Sequence, residues 1–241
     1  MPLAGNAKIS EGFSNLLDFF YPTVCLICDQ YIDSGSHLIC SSCWDKATAS
    51  SEIFCLNCRG LITEGIKCPN CDSKSAFPVL ALGRFAGPLR EIVHQFKYHG
   101  YHRLAELLAQ GLINKYTSVL EKDPPFDALV PIPLDSFRKK KRGFNQAALL
   151  ADILGERLKV PVERGFLSKA KKTKDQTRLD MVRRAENMKG AFRTANMEIT
   201  GKMIILVDDV LTTGATMREA VAVLSAAGAR PSLAIVAAVA D

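Results

Sequence analysis

No stretch of the 241 residues carries the roughly 18 to 20 uninterrupted apolar residues that a membrane-spanning helix needs. The richest run, near the C-terminus, is broken by Arg230 and Pro231, so no membrane insertion is expected. The N-terminus lacks a basic segment and a small-residue cleavage site, and Asp18 splits its apolar stretch "NLLDFFYP". A secretory leader is therefore not expected, and the chain reads as cytoplasmic. G-x-G-x-x-G is missing, which excludes the dinucleotide-binding turn. A Walker loop is missing too: the one Gly-Lys pair, Gly201-Lys202, is followed by Met203 and has Asn196 where the first glycine belongs. There is no low-complexity tract, and no cysteine follows residue 71.

What is present divides the chain in two. All eight cysteines form C-x-x-C pairs: Cys25/Cys28, Cys40/Cys43, Cys55/Cys58 and Cys68/Cys71. Two thiolates so spaced in a tight turn point at one tetrahedral cation, and two such turns complete a four-thiolate site. Disulfides would need an oxidising compartment, and redox C-x-x-C motifs usually come singly. Two structural Zn²⁺ ions are expected, because full tetrahedra leave no open coordination position. Sequential pairing and an interleaved pairing (first with third, second with fourth) both satisfy the spacing. A segment this short and poor in aliphatics would hardly fold without metal. Residues 1–76 are read as an N-terminal helix and double zinc ribbon, and 77–241 as a second domain with its own core.

From Phe77 onward, buried strands alternate with amphipathic helices. "VLALGRF" (79–85), "DALVPIPL" (127–134), "KMIILV" (202–207) and "SLAIVAAVA" (232–240) read as strands. Residues 88–100, a stretch from His102 to Leu120, 145–158 and 216–227 read as helices. The alternation predicts an α/β domain with a mostly parallel sheet and flanking helices.

In such a sheet, ligands bind beyond the carboxyl ends of the strands. "IILVDDVLTTGATM" (204–217) ends a strand with two acids, then a hydroxyl-rich tract, then a helix. The backbone amides from Thr213 to Thr216 open that helix, where unpaired donors and the dipole favour a phosphate. Thr212, Thr213 and Thr216 add hydroxyls, and Gly214 is expected to let the backbone approach the anion closely. Asp208 and Asp209 would repel a bare phosphate. They suit a ribose 5-phosphate, whose 2′- and 3′-hydroxyls a carboxylate accepts strongly. They suit a phosphoribosyl pyrophosphate still better, because its Mg²⁺ needs acidic support.

Charge adds a second clue. The net +6 includes "RKKKR" (138–142), and 169–189 hold eight Lys or Arg against three acids. Such runs are either solvated loops or a concentrated anion site.

The tract at 208–216 resembles the phosphoribosyltransferase signature. The succession "LLDFFYP", four cysteine turns, "FAGPLREIVHQFKYHG", "VPIPL", "RGFNQA", "QTRLDMVRRAENMKGAF" and "VDDVLTTGAT" resembles the ComF family over nearly the whole chain. That resemblance implies a type I phosphoribosyltransferase-like fold preceded by a small double zinc ribbon. It implies a pyrophosphate-side loop at Pro131 and Ile132, followed by Arg142, Gly143, Asn145 and Gln146. It also implies a closing loop whose cations are Lys171, Lys172, Lys174 and Arg178, and a block formed by Gln176, Arg183 and Asn187. Catalytic candidates are thus Asp208, Asp209 and those four cations. The ligand set is Asp208, Asp209, Thr212, Thr213, Gly214, Ala215, Thr216, Pro131, Ile132 and Arg142. Purine-salvage relatives carry a base four positions after the first acid, where this chain has Thr212, so no general base toward a nucleobase is evident. Three readings follow: transfer of phosphoribosyl to an unidentified acceptor, handling of single-stranded DNA with uptake or recombination proteins, and sensing of the sugar pyrophosphate.

Overall fold

The computed structural model describes residues 24–32, 38–50, 52–63, 65–72, 76–98, 103–121, 126–134, 143–170, 188–194 and 198–240. In chain order these give α1 (Ser41–Thr48), β1 (Glu52–Cys55), β2 (Leu61–Ile62), β3 (Pro78–Ala81), α2 (Gly87–Tyr98), α3 (Arg103–Leu120) and β4 (Ala128–Pro131). Then follow α4 (Gln146–Leu158), β5 (Ser168–Lys169), β6 (Phe192–Arg193), β7 (Met203–Leu211), α5 (Ala215–Ala226) and β8 (Arg230–Val239). Among the described residues no helix is long and apolar enough to cross a membrane.

Six strands form one sheet in the order β2-β1-β3-β8-β7-β4. The β3–β8, β8–β7 and β7–β4 pairings are parallel, which is the expected α/β class. Strands buried on both faces need apolar side chains on both, and β7 supplies them in alternation. Ile205 and Val207 join the core under α2, α3 and α4; Ile204 and Leu206 join the core under α5. Each parallel strand therefore delivers its carboxyl end to one edge of a three-layer sandwich.

Two features depart from the expectations. First, β7 runs on to Leu211, through Asp208 and Asp209. The Val207–Leu211 stretch keeps pairing with Ile235–Val239 of β8, so the acids lie inside the strand. Second, the two parts do not have separate cores. β1 carries Cys55 and pairs antiparallel with β3 in the register Ile53↔Leu80, Phe54↔Val79 and Cys55↔Pro78. Phe54 and Leu56 pack into the core under α5, while Cys25, Cys43 and Ala47 pack into the opposite one. The ribbon's short strands bury too little apolar area alone, and the open edge of β3 offers both hydrogen bonds and a hydrophobic partner.

Candidate functional site

The cysteines gather in sequence order. Cys25, Cys28, Cys40 and Cys43 form one cluster, Cys55, Cys58, Cys68 and Cys71 the other, and within each the sulfurs lie within 4.8 Å of one another. The interleaved alternative is ruled out. Four sulfurs about 2.3 Å from a tetrahedral Zn²⁺ are separated by about 3.8 Å. The separations found are 3.8 Å for Cys28 to Cys40, 3.8 Å for Cys55 to Cys71 and 3.5 Å for Cys58 to Cys68. All eight are free thiols.

The two knuckles repeat one backbone design. Cys25 N–H donates to Gln30 and Asp29 N–H to Cys25; likewise Cys55 N–H donates to Gly60 and Arg59 N–H to Cys55. Asp29 and Arg59 occupy equivalent left-handed positions, with φ of 58° and 61°. Burial raises the Cys25 and Cys55 thiols, but surrounding amides outweigh it and bring each down to about 6. Cys43 and Cys71 move the other way, to about 12, through burial and then the neighbouring sulfurs. Each cluster thus holds thiols that shed their protons only against a cation. Both four-cysteine sites fit structural zinc.

At the carboxyl edge of the sheet, the described loop after β4 lies beside the acids of β7. Ile132 N–H donates to Val207 O at 2.9 Å, which carries Pro131 and Ile132 to the residue before Asp208. Asn145 caps α4 by accepting from Ala147 N–H at 3.1 Å, and its amide donates to Ile132 O at 3.1 Å. Gln146, buried, donates to Lys97 O at 3.3 Å. Asp209 pairs with Lys97 at 3.1 Å, both side chains being about 15% exposed or less. Asp208 accepts the Asp209 N–H at 2.8 Å. Burial, and then the Asp209 carboxylate, raise Asp208 to about 7 against the pull of the Asp209 amide, Lys97 and Lys169. Burial and the neighbouring carboxylate disfavour the Asp208 anion, a penalty that a divalent cation would offset.

The following turn is held from behind. Gly214 has φ 76° and ψ 0°, a left-handed conformation that side chains tolerate poorly. A Cβ there would meet Arg218 Nη1 at 2.8 Å and Leu56 Cδ1 at 2.9 Å. The glycine therefore makes room for the second knuckle and for Arg218, whereas the motif alone assigns that room to an anion. Arg218 donates to Thr213 O at 2.7 Å and to Leu56 O at 3.1 Å. Arg59 donates to Thr212 O and Ala240 O. Thr213 is buried and its hydroxyl accepts Ala215 N–H at 3.4 Å, so that amide already has a partner. Thr212 is exposed and Thr216 half-buried.

Arg142, Lys171, Lys172, Lys174 and Arg178 lie outside the described residues, as do Gln176, Arg183 and Asn187. Of the residues to either side of 171–187, Ser168 and Lys169 pair antiparallel with Arg193 and Phe192. Lys169 Nζ sits 4.5 Å from the Phe192 ring centroid. Lys97, Arg59 and Arg218 are site residues that the sequence does not single out. Lys97 lies within the block "FAGPLREIVHQFKYHG", whose legible signal is helix punctuation; for the two arginines no local pattern exists.

Residues 16–75 match the double zinc ribbon domain and residues 140–241 the phosphoribosyl transferase domain. The chain thus joins a zinc ribbon module to a phosphoribosyltransferase-type domain. It is 29% identical over 209 residues to competence protein F of Haemophilus influenzae, covering 83% of this chain and 90% of that one. It is 29% identical over 216 residues to the DNA utilization protein YhgH of Escherichia coli K12, at 86% and 93% coverage. Competence protein ComFC of Bacillus subtilis is 28% identical over 216 residues, at 82% and 86% coverage. Over most of its length the chain is thus similar to proteins named for competence and DNA utilization, and it carries both the double zinc ribbon and the phosphoribosyl transferase domain.

Proposed function

We propose that the protein binds phosphoribosyl pyrophosphate with Mg²⁺ at the carboxyl edge of β7 and β4. The observation that carries this reading is the half-buried pair Asp208/Asp209, with Asp208 raised to about 7 by burial and by its neighbour, shortly before a glycine turn that opens a helix. The 5-phosphate would take backbone amides of the 213–216 turn other than that of Ala215, and the Thr216 hydroxyl. Asp208 and Asp209 would accept the ribose hydroxyls and support Mg²⁺, whose role when bound is to neutralise pyrophosphate charge. In a transfer, the bond from the anomeric carbon to pyrophosphate oxygen breaks, the pyrophosphate keeps the electron pair, and an acceptor nucleophile bonds to that carbon. Lys171, Lys172, Lys174 and Arg178 are the cations proposed to meet the departing charge, with Arg142 as a further one. Thr212 offers no base, and its carbonyl is engaged by Arg59, so the acceptor would have to need little deprotonation.

Calorimetry tests this. Asp208→Asn combined with Asp209→Asn should weaken phosphoribosyl pyrophosphate binding far more than binding of inorganic phosphate, by about 1.5 to 3 kcal/mol for each charge-assisted bond removed. Equal weakening for both ligands would contradict the assignment.

A second reading is favoured by the names of the relatives, which refer to competence and to DNA utilization. On it the protein handles single-stranded DNA together with uptake or recombination proteins. Lys139, Lys140 and Lys141, and separately Lys171, Lys172 and Lys174, would then contact backbone phosphates. Changing either set to Gln should reduce the log–log salt slope of single-strand binding by about 0.7 for every phosphate no longer neutralised. An unchanged slope in both variants would remove these loops from any DNA surface.

A further inference from the structure

We infer that Arg59, contributed by the second four-cysteine knuckle, is a positioning residue of the anion loop: it pins the loop's carbonyls on one side so that its amides face the other. The inference rests on the reading of 212–216 as the phosphate cradle.

The geometry starts at the knuckle. Cys55-Leu56-Asn57-Cys58 turns tightly, and the next residue takes φ 61°. At the equivalent position of the first knuckle stands Asp29, a residue type that tolerates this region; arginine does not tolerate it as readily. An unfavourable backbone held in place by its surroundings is a pointer to a role for the side chain. From that position the guanidinium spans two strand ends: Nη1 donates to Thr212 O, one residue past β7, and Nη2 to Ala240 O, one residue past β8. Those ends are themselves joined, Ala240 N–H donating to Leu211 O at 2.8 Å.

The consequence follows from peptide planarity. In a trans peptide the C=O of one residue and the N–H of the next point in opposite directions. Holding Thr212 O on the knuckle side therefore turns Thr213 N–H away from the knuckle. Arg218 does the same one peptide later, since it holds Thr213 O at 2.7 Å and so turns Gly214 N–H away. Arg218 is itself tied to the knuckle through Leu56 O at 3.1 Å. Two successive amides are thus aimed together by two guanidinium groups, Arg59 on the metal-site loop and Arg218 on α5, bonded to that loop. A free turn of this sequence would lose that alignment, because carbonyls and amides flip together at little cost in a glycine-containing loop. The knuckle in this protein does for the anion loop what a rigid supporting shell does for any binding site: it sets the donors before the ligand arrives.

The test uses full-length, zinc-loaded protein and ribose 5-phosphate as the probe. Arg59→Asn suits the left-handed backbone and removes both bonds. It should retain both zinc ions by elemental analysis and bind ribose 5-phosphate about tenfold more weakly, each tenfold corresponding to about 1.4 kcal/mol. Arg59→Lys keeps the charge but cannot fork to two carbonyls, and should fall between. Wild type that does not bind ribose 5-phosphate would sink the cradle reading itself. Wild type that binds, with Arg59→Asn binding as tightly at full zinc content, would overturn only the role of Arg59. Amide hydrogen exchange on wild type decides the matter even if the variants do not fold. Ribose 5-phosphate should slow exchange at Thr213 and Gly214, and protection that skips both amides would refute the proposal.

Discussion

Neutralising one of the two acids should make the ligand-free protein more stable above neutral pH, although it damages the site. In the folded chain Asp208 is raised from 3.8 to about 7, by burial first and by the Asp209 carboxylate second. A raised carboxyl pKa means that the unfolded chain ionises first as pH increases. Between about pH 4 and 7 the folded state therefore holds the extra proton, and stability drains away as pH rises through that window. Three pKa units set a ceiling of about 4 kcal/mol at pH 8, and partial hydration of the half-buried carboxyl brings the expectation nearer 2 kcal/mol. Asp208→Asn keeps the acceptor for the Asp209 N–H, a 2.8 Å bond, so little is lost in exchange. The assay is urea unfolding of zinc-loaded, ligand-free wild type and variant at a series of pH values from about 5 to about 8.5, which covers the upper part of the window and the plateau above it. Acid-induced loss of zinc affects both proteins and cancels in the difference. The gain of the variant should grow up to about pH 7 and level off above it. A difference that ignores pH, or a variant less stable than wild type at the alkaline end, would refute the burial argument.

Two further outcomes are expected. Metal-replete protein should contain two zinc ions per chain, and Cys55→Ser should lower both zinc content and ribose 5-phosphate affinity, because β1 belongs to the sheet; an intact sugar-phosphate site in that variant would mean the ribbon is dispensable. Lys97→Met leaves Asp209 without the cation now 3.1 Å away. A double-mutant cycle with Asp209→Asn should return a coupling of about 1 to 3 kcal/mol, and a coupling near zero would make the contact incidental.

How much of the fold and site is legible in the sequence depends on whether a feature is local in the chain. The strands β4, β7 and β8 announce themselves because burial on both faces demands continuous apolar runs. The cysteine turns and the "DDVLTTGAT" tract are equally local, each a spacing that one ligand geometry dictates. Whether the cysteine pairs combine in order or interleave is a question of which turns meet, and spacing alone leaves both open. Asp208 and Asp209 read as following their strand, since carboxylates rarely extend a buried one; pairing with β8 overrides that preference. For Gly214 the motif gives the right backbone freedom and the wrong neighbour, because Leu56 is 158 positions away in sequence (214 − 56). Arg59 and Lys97 belong to the same class of long-range contact. No periodicity encodes a guanidinium that crosses from residue 59 to residue 212.

The antiparallel seam between β1 and β3 also matters for solubility. A parallel sheet normally leaves its outermost strands with a row of unsatisfied N–H and C=O groups, the template on which chains stack into aggregates. Here β3 is wholly buried and its outer edge is covered by β1, which is in turn fringed by the two-residue β2. The covering hairpin carries Cys55 at one end and leads into Cys58, so its integrity depends on the thiolates keeping their ion. Chelation would then strip the seal from Pro78–Ala81, an apolar edge flanked by the apolar Phe77 and Leu82. The metal in the second cluster acts, on this view, as a guard against self-association as much as a staple for the fold.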